Sequence, residues 1–189
     1  MNYVFLAMLY LLIKRLMKEV LQKMRVQNGN NLLELSNKRP ILLVFLRHFG
    51  CVFCKEALRD LFNIKSKLDK NDLSLVFVHM AENEIARNYF KQFDFDSVLH
   101  VSDPNKVYYK EFGLKKGNLN QLYGLKTWFR GFSKETSDFK LEIAKGLGDS
   151  TQMPGIFIIK QGMITDSYIH NFASDRPDYN KLLECCIVK

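Results

Sequence analysis

One uninterrupted apolar run, Ile41–Leu46, constrains the fold of this chain more than any other feature. A short run of this kind is typical of a strand that is buried on both faces, as in a parallel sheet. Apolar residues then recur at the i, i+3, i+4, i+7 spacing of an amphipathic helix, at Cys54, Ala57, Leu58, Leu61 and Phe62. The sequence therefore predicts a central strand that passes directly into a helix.

Two cysteines, Cys51 and Cys54, lie where this strand gives way to the helix. A helix N-terminus presents unpaired N–H groups and a partial positive charge, and both favour a thiolate over a thiol. We expect Cys51 to be the more exposed, attacking thiol and Cys54, one helical turn later, to resolve it. The alternatives are two buried structural cysteines or half of a zinc site. A redox pair is favoured, because the other two cysteines, Cys185 and Cys186, are adjacent and do not form a second spaced pair.

Strand and helix patterns alternate along the rest of the chain, which predicts an α/β core with a parallel sheet. Helices are expected between the strands, one of them opening at Asp103-Pro104 with proline in its first turn. A turn at Gln161-Gly162 should join the last two strands as an antiparallel hairpin. The further strands are predicted at Leu73–Met80, Ser97–Val101, Ile156–Lys160 and Met163–Ile169.

The N-terminal residues 1–23 are predicted to form one long helix, separate from a globular domain at residues 24–189. The helix is almost entirely apolar from Tyr3 to Ile13 and amphipathic after that. The apolar part is shorter than the ~20 residues of a spanning helix, and it lacks the basic start and cleavage site of a signal peptide. Three alternatives are open: a helix docked on its own domain, an interfacial membrane anchor, or a short signal anchor. A small hairpin around Asn28-Gly29 is expected next, within Met24–Leu35.

The composition is typical of a globular protein, with 47% hydrophobic and 25% charged residues among 189. The net charge of +8 comes from lysines spread along the chain, and no nucleic-acid motif accompanies them. We therefore expect no nucleic-acid partner. A thiol pair that carries the redox chemistry by itself implies no metal and no organic cofactor. A paired thiol motif is most at home in a reducing compartment, so the expected location is cytoplasmic, with membrane association through the N-terminus as an addition.

Three stretches carry a resemblance to a known family: LVFLRHFGCVFCKE, GDSTQMPGIFIIKQG at residues 148–162, and HNFASDRPDY at residues 170–179. Together they resemble the AhpC/TSA-like, or peroxiredoxin-like, branch of the thioredoxin superfamily, from about Met24 to the C-terminus. The resemblance implies a thioredoxin-like α/β fold, a central mixed sheet flanked by helices, with the N-terminal helix and hairpin as an extension. One departure is that peroxiredoxins proper carry a threonine three residues before the peroxidatic cysteine, where this chain has His48.

The resemblance also implies a cis-proline beside the cysteine pair, so Met153–Pro154 is predicted to be a cis bond at the substrate site. Trp128 lies in the segment Lys115–Ser150, where the family carries a variable insertion, and it could line a substrate entrance or simply pack.

Arg47 and His48 end the central strand, and each could add positive potential beside Cys51 or transfer a proton. Side chains alternate along a strand, so only one of the two is expected to face the thiol. Arg47 is favoured because its charge is fixed, and His48 is assigned to substrate binding.

These features predict a thiol-dependent oxidoreductase in which Cys51 attacks a peroxide or disulfide and Cys54 closes a disulfide. An external reductant, thioredoxin or a small thiol, would reopen it. On resemblance, a peroxiredoxin-like peroxide reductase is preferred over a general thiol-disulfide oxidoreductase, and proteins similar to prostaglandin F synthases belong to the same branch. A non-catalytic thioredoxin-fold binding module is the alternative from another class. Cys185 and Cys186 could provide a second resolving thiol or a contact in a homodimer.

Overall fold

The computed structural model describes residues 3–124, 127 and 146–187. The five strands of its sheet are β1 (Ile41–Phe45), β2 (Ser74–His79), β3 (Leu99–Ser102), β4 (Gly155–Lys160) and β5 (Met163–Ile169). The helices are α1 (Tyr3–Lys23), α2 (Leu32–Lys38), α3 (Val52–Asn63), α4 (Lys65–Lys70), α5 (Asn83–Lys91), α6 (Val107–Glu111), α7 (Leu119–Tyr123) and α8 (Tyr179–Ile187).

The sheet is mixed, as predicted, and its strands are ordered β3-β2-β1-β4-β5. Strand β1 lies at the centre, parallel to β2 and antiparallel to β4, and β3 pairs in parallel with β2. β4 and β5 form the predicted antiparallel hairpin, and Gln161 and Gly162 both have positive φ in its turn. The arrangement is the thioredoxin-like α/β fold expected from the sequence.

The central strand β1 is buried along its whole length because helices cover both faces of the sheet. Its side chains alternate between two clusters, as the two-residue period of a strand requires. Leu42 and Val44 pack with residues of α3, α5 and α8. Ile41, Leu43 and Phe45 pack on the other face with residues of α1, α2 and α6.

Two expected elements differ from the structure. The predicted hairpin within Met24–Leu35 is reduced to one bridge, Arg25 to Asn31, and the chain then enters α2. Helix α2 forms here because the Asn31 side chain accepts a hydrogen bond from the Glu34 N–H (2.9 Å) and so caps the N-terminus of the helix. The helix predicted to open at Asp103-Pro104 begins only at Val107, because the Asp103 carboxylate accepts hydrogen bonds from three N–H groups of its first turn.

Helix α1 is continuous, as predicted, but its two halves have different surroundings. The C-terminal half packs on the domain, where Leu21 and the following Met24 are fully buried. The apolar N-terminal half is exposed to solvent. Within residues 3–124, 127 and 146–187, no helix has both the length and the apolar character needed to cross a membrane.

Candidate active site

The cysteine pair lies at the N-terminus of α3, directly beyond the central strand. Cys51 is the N-cap residue, and its carbonyl accepts hydrogen bonds from the N–H groups of Cys54 (3.0 Å) and Lys55 (3.2 Å). Both cysteines therefore belong to the first turn of one helix, the position predicted from the sequence. Neither thiol is in a disulfide in this structure.

Both thiols are buried, which contradicts the expectation that Cys51 is exposed. Cys51 is 2% exposed and Cys54 is 4% exposed. The Phe49 N–H donates to the carbonyl of Leu147 (3.0 Å), and this bond holds a segment distant in sequence against the cysteine turn. Leu147 packs in the same apolar cluster as the two thiols. In this conformation Cys51 is therefore closed to all but small molecules.

Arg47 is the charged group that faces the Cys51 thiol. Its Nη1 lies 3.0 Å from Cys51 Sγ, and its Nη2 donates a hydrogen bond to the carbonyl of Ser150. A guanidinium at this distance stabilises a thiolate by charge and by hydrogen bonding. Arg47 is 7% exposed, and its Nε has no hydrogen-bond partner in the part of the chain that the structure describes.

The loop that holds Arg47 is itself fixed by Asp149. One carboxylate oxygen of Asp149 forms ion pairs with Lys106 and Lys116 (3.3 Å to Lys116), and the other accepts hydrogen bonds from the hydroxyl (2.6 Å) and N–H (2.9 Å) of Thr151. Partial burial opposes ionisation of Asp149, but the bonds from Lys106 and Thr151 outweigh it and lower its pKa well below the usual value. Sequence reasoning missed this role, although Asp149 and Ser150 lie within the GDST stretch that carried part of the family resemblance.

Cys54 differs chemically from Cys51 and borders a pocket. Burial, and then the negative charge of Cys51, raise the pKa of Cys54 well above the usual thiol value, so its thiol stays protonated at neutral pH. Arg47, Phe53, Cys54, Pro154 and Tyr179 are among the residues that line the pocket.

The predicted cis bond is wrong: the Met153–Pro154 peptide is trans, and the described chain has no cis peptide bond. Trans is the lower-energy isomer, and local hydrogen bonds hold it here. The Met153 N–H donates to the carbonyl of Lys115 (3.2 Å), and its carbonyl accepts a bond from Gln152 Nε2 (3.2 Å). Pro154 lines the pocket beside Cys54, whereas Met153 does not line it and packs with Leu122 and Ala173.

His48, which was also predicted to bind substrate, is not part of this group. His48 is 9% exposed and does not line the pocket. Burial, and then the charge of Arg47, lower its pKa to about 4, so it is neutral at pH 7. Trp128 and the side chains of Cys185 and Cys186 lie outside the described residues. Within the described residues, no group of three or more His, Cys, Asp or Glu side chains is placed to hold a metal ion.

Comparison with known proteins places the chain in a family. Residues 60–171, more than half of the chain, match the model of the AhpC/TSA antioxidant enzyme family. The matched segment begins after the cysteine pair and includes Asp149, Ser150 and Pro154.

Individual relatives are distant. Peroxiredoxin-like 2C of Bos taurus is 28% identical over 157 residues, which are 76% of this chain and 64% of that protein. The chain thus spans slightly less than two thirds of the length of this relative. Prostamide/prostaglandin F synthase of Aquarana catesbeiana is 26% identical over 142 residues, covering 72% of this chain and 66% of that protein.

Among solved structures, peroxidoxin BcpB from Mycobacterium tuberculosis superposes with a TM-score of 0.58 at 18% identity, covering 88% of this chain and 92% of the other. At 18% identity, the similarity between the two structures indicates a shared fold and nothing more. The family match, the fold and the arginine-paired cysteine support a thiol redox role. The chain belongs to the AhpC/TSA antioxidant enzyme family and has the thioredoxin-type fold of peroxiredoxins.

Proposed function

We propose that this protein is a peroxide reductase that uses Cys51 as the peroxidatic thiol and Cys54 as the resolving thiol. The observation that carries the proposal is the 3.0 Å contact between Arg47 Nη1 and Cys51 Sγ at the N-terminus of α3. The guanidinium and the helix N-terminus both favour a negatively charged sulfur, which is the reactive form of a cysteine.

The reaction begins when the Cys51 thiolate attacks one oxygen of a hydroperoxide. The O–O bond breaks, the sulfur becomes a sulfenic acid, and the alkoxide or hydroxide leaving group takes up a proton. Arg47 would act twice in this step, holding the thiolate through Nη1 and donating its Nε–H, which has no partner among the described residues, to a peroxide oxygen. It takes the place of the threonine that peroxiredoxins proper carry three residues before the cysteine, where this chain has His48.

Resolution follows within the same helical turn. The Cys54 thiol condenses with the sulfenic acid of Cys51, which forms the disulfide and releases water. The elevated pKa of Cys54 suits this order, because a protonated thiol does not compete with Cys51 for peroxide. A thiol of an external reductant, thioredoxin or a small thiol, then attacks Cys54, which borders the pocket, and releases Cys51 as a thiolate beside Arg47. A second thiol, from the same dithiol or from another small-thiol molecule, attacks the resulting mixed disulfide, so that Cys54 is released and the reductant leaves as a disulfide. Two electrons pass from that reductant to the peroxide in each cycle.

The burial of both thiols supports a small peroxide as the oxidising substrate. A protein disulfide has to bring its own backbone close to the attacking sulfur, and in the reduced protein Cys51 is only 2% exposed. The reductant acts at a later stage, on the disulfide form and through Cys54 at the pocket. A general thiol-disulfide oxidoreductase is therefore the less favoured of the two redox functions that the sequence allows.

Stopped-flow oxidation of the fully reduced protein by hydrogen peroxide tests the proposal, with thiols counted before and after. We expect rapid loss of two thiols in the unmodified protein and no rapid phase in Cys51→Ser. Cys54→Ser should still react rapidly but stop at a sulfenic acid, which a dimedone probe would trap on Cys51.

Two results would contradict the proposal. Slow reaction with peroxide, together with ready exchange with a protein disulfide, would make the chain a disulfide reductase. If Cys51→Ser retained every measurable function, the cysteine pair would be incidental and the chain a binding module.

A further inference from the structure

The N-terminal half of α1 carries an apolar surface that the domain leaves uncovered. The large apolar side chains at least 41% exposed there are Tyr3, Phe5, Leu6, Met8, Leu9, Tyr10, Leu11, Leu12 and Ile13. Further along, Leu21 is fully buried against the domain. Contiguous apolar surface of this extent on a folded chain marks an interaction site.

The distribution of these side chains around the helix indicates what they contact. Successive helix positions are about 100° apart, so the four consecutive residues Tyr10 to Ile13 cover the whole circumference. A helix that docks in a protein groove buries one apolar stripe and keeps a polar face in water. A helix that is apolar on every side is instead stable where an apolar medium surrounds it, as lipid does.

The charges next to this segment match a lipid surface that is negatively charged. Lys14, Arg15 and Lys18 follow the apolar part at once, and the first acidic residue in the chain is Glu19. Basic side chains at the end of an apolar helical segment contact anionic headgroups while the apolar part enters the acyl region. The net charge of +8 adds a general attraction to such a surface.

The length of the segment fits one half of a bilayer. Eleven helical residues, from Tyr3 to Ile13, span about 16 Å, and the hydrocarbon of one leaflet is about 15 Å thick. The segment can therefore be surrounded by acyl chains without crossing the membrane, in agreement with the absence of a spanning helix from the described residues.

From these observations we propose that residues 3–13 insert into one leaflet of an anionic membrane, with Lys14, Arg15 and Lys18 at the headgroups. Helix α1 is continuous to Lys23, and the stem of Lys18 packs close to Gly162 in the β4–β5 turn. The inserted segment would thus be rigidly joined to the domain and would hold the thiol site at a fixed distance from the membrane. This inference does not depend on the chemistry proposed for Cys51.

Vesicle flotation of the full chain tests the inference, with phosphatidylcholine vesicles that contain or lack phosphatidylserine. We expect binding to the vesicles with phosphatidylserine and much weaker binding to phosphatidylcholine alone. The variant Leu9→Glu/Leu12→Glu should lower the affinity at least about 100-fold, because two charges would have to enter hydrocarbon. Its matched control is Val107→Glu/Leu119→Glu, which places the same charges on exposed apolar residues elsewhere and should bind as the unmodified chain does.

A second pair of variants isolates the basic residues. Lys14→Gln/Arg15→Gln should weaken binding about 30-fold, the factor expected for two basic residues at an anionic surface. Lys110→Gln/Lys115→Gln removes the same charge from other exposed positions and should change binding much less.

Three results would overturn the inference. The first is no binding to either kind of vesicle, and the second is binding that Leu9→Glu/Leu12→Glu leaves unchanged. The third is that the unmodified chain does not bind vesicles but forms a dimer in analytical ultracentrifugation, and that Leu9→Glu/Leu12→Glu dissociates this dimer. The apolar surface of α1 would then contact a second copy of the chain.

Discussion

Lowering the pH is expected to destabilise the fold through a buried histidine pair, His79 and His100. The two rings come from neighbouring parallel strands, and His79 Nε2 lies 2.9 Å from His100 Nδ1. His79 is 0% exposed and His100 is 2% exposed, and both rings contact Phe90. Their remaining ring nitrogens have no hydrogen-bond partner among the described residues. The site therefore suits two neutral rings and disfavours a charged one.

The direction and size of the effect follow from the pKa values. Burial, and then the charge of the partner histidine, lower the pKa of His79 to about 3, and burial, and then Arg87, lower that of His100 to about 4. In the unfolded chain both titrate near 6.5, so below that pH the unfolded state binds protons that the folded state rejects. The stability is thus full above about pH 6.5 and falls as the pH drops towards the folded pKa values. Between about pH 7 and about pH 5.5 each histidine contributes a loss of about 1.2 kcal/mol, or about 2.5 kcal/mol for the pair.

Urea unfolding at both pH values measures this loss. The comparison protein is His79→Leu/His100→Leu, which removes both titrating groups while keeping similar side-chain volumes. The pH dependence of its unfolding free energy should be smaller than that of the unmodified protein by about 2.5 kcal/mol, since all other titrating groups are common to both. Equal pH dependence in the two proteins would refute the assignment of acid sensitivity to this pair.

Three further predictions concern the site and its scaffold. Arg47→Met should slow the oxidation of Cys51 by hydrogen peroxide about 100-fold, while the circular dichroism spectrum stays unchanged. An undiminished rate would show that Arg47 takes no part in the mechanism. Asp149→Asn should weaken the ion pairs with Lys106 and Lys116 and loosen the neighbouring Ser150 carbonyl, which accepts a hydrogen bond from Arg47. Both the oxidation of Cys51 and its alkylation by iodoacetamide at pH 7 should then be slower. Asp149→Glu keeps the negative charge and should restore part of both rates, which a purely structural defect would not allow. Asp103→Ala should lower the unfolding free energy by about 1 to 2 kcal/mol, because three N–H groups at the start of α6 lose their acceptor. Asp96→Ala, at an exposed position in a turn, should have little effect in the same urea titration.

Local patterns in the sequence determined most of the architecture. The apolar run at Ile41–Leu46 became the central strand, and the helical spacing after it became α3, with Cys51 and Cys54 in the first turn. The turn residues Gln161-Gly162 correctly predicted the β4–β5 hairpin. These features can be predicted because the periodicity of buried side chains and the backbone preferences of turn residues act within a few residues of the chain.

Only the tertiary structure decided the surroundings of the thiol. The burial of Cys51, the attachment of Arg47 to Ser150 and the trans bond before Pro154 all depend on where the segment after Gly146 meets the end of the central strand. Arg47 and Ser150 are 103 positions apart in the chain. No local periodicity encodes a contact of this range, because it forms only when the whole sheet and its helices bring the two loops together.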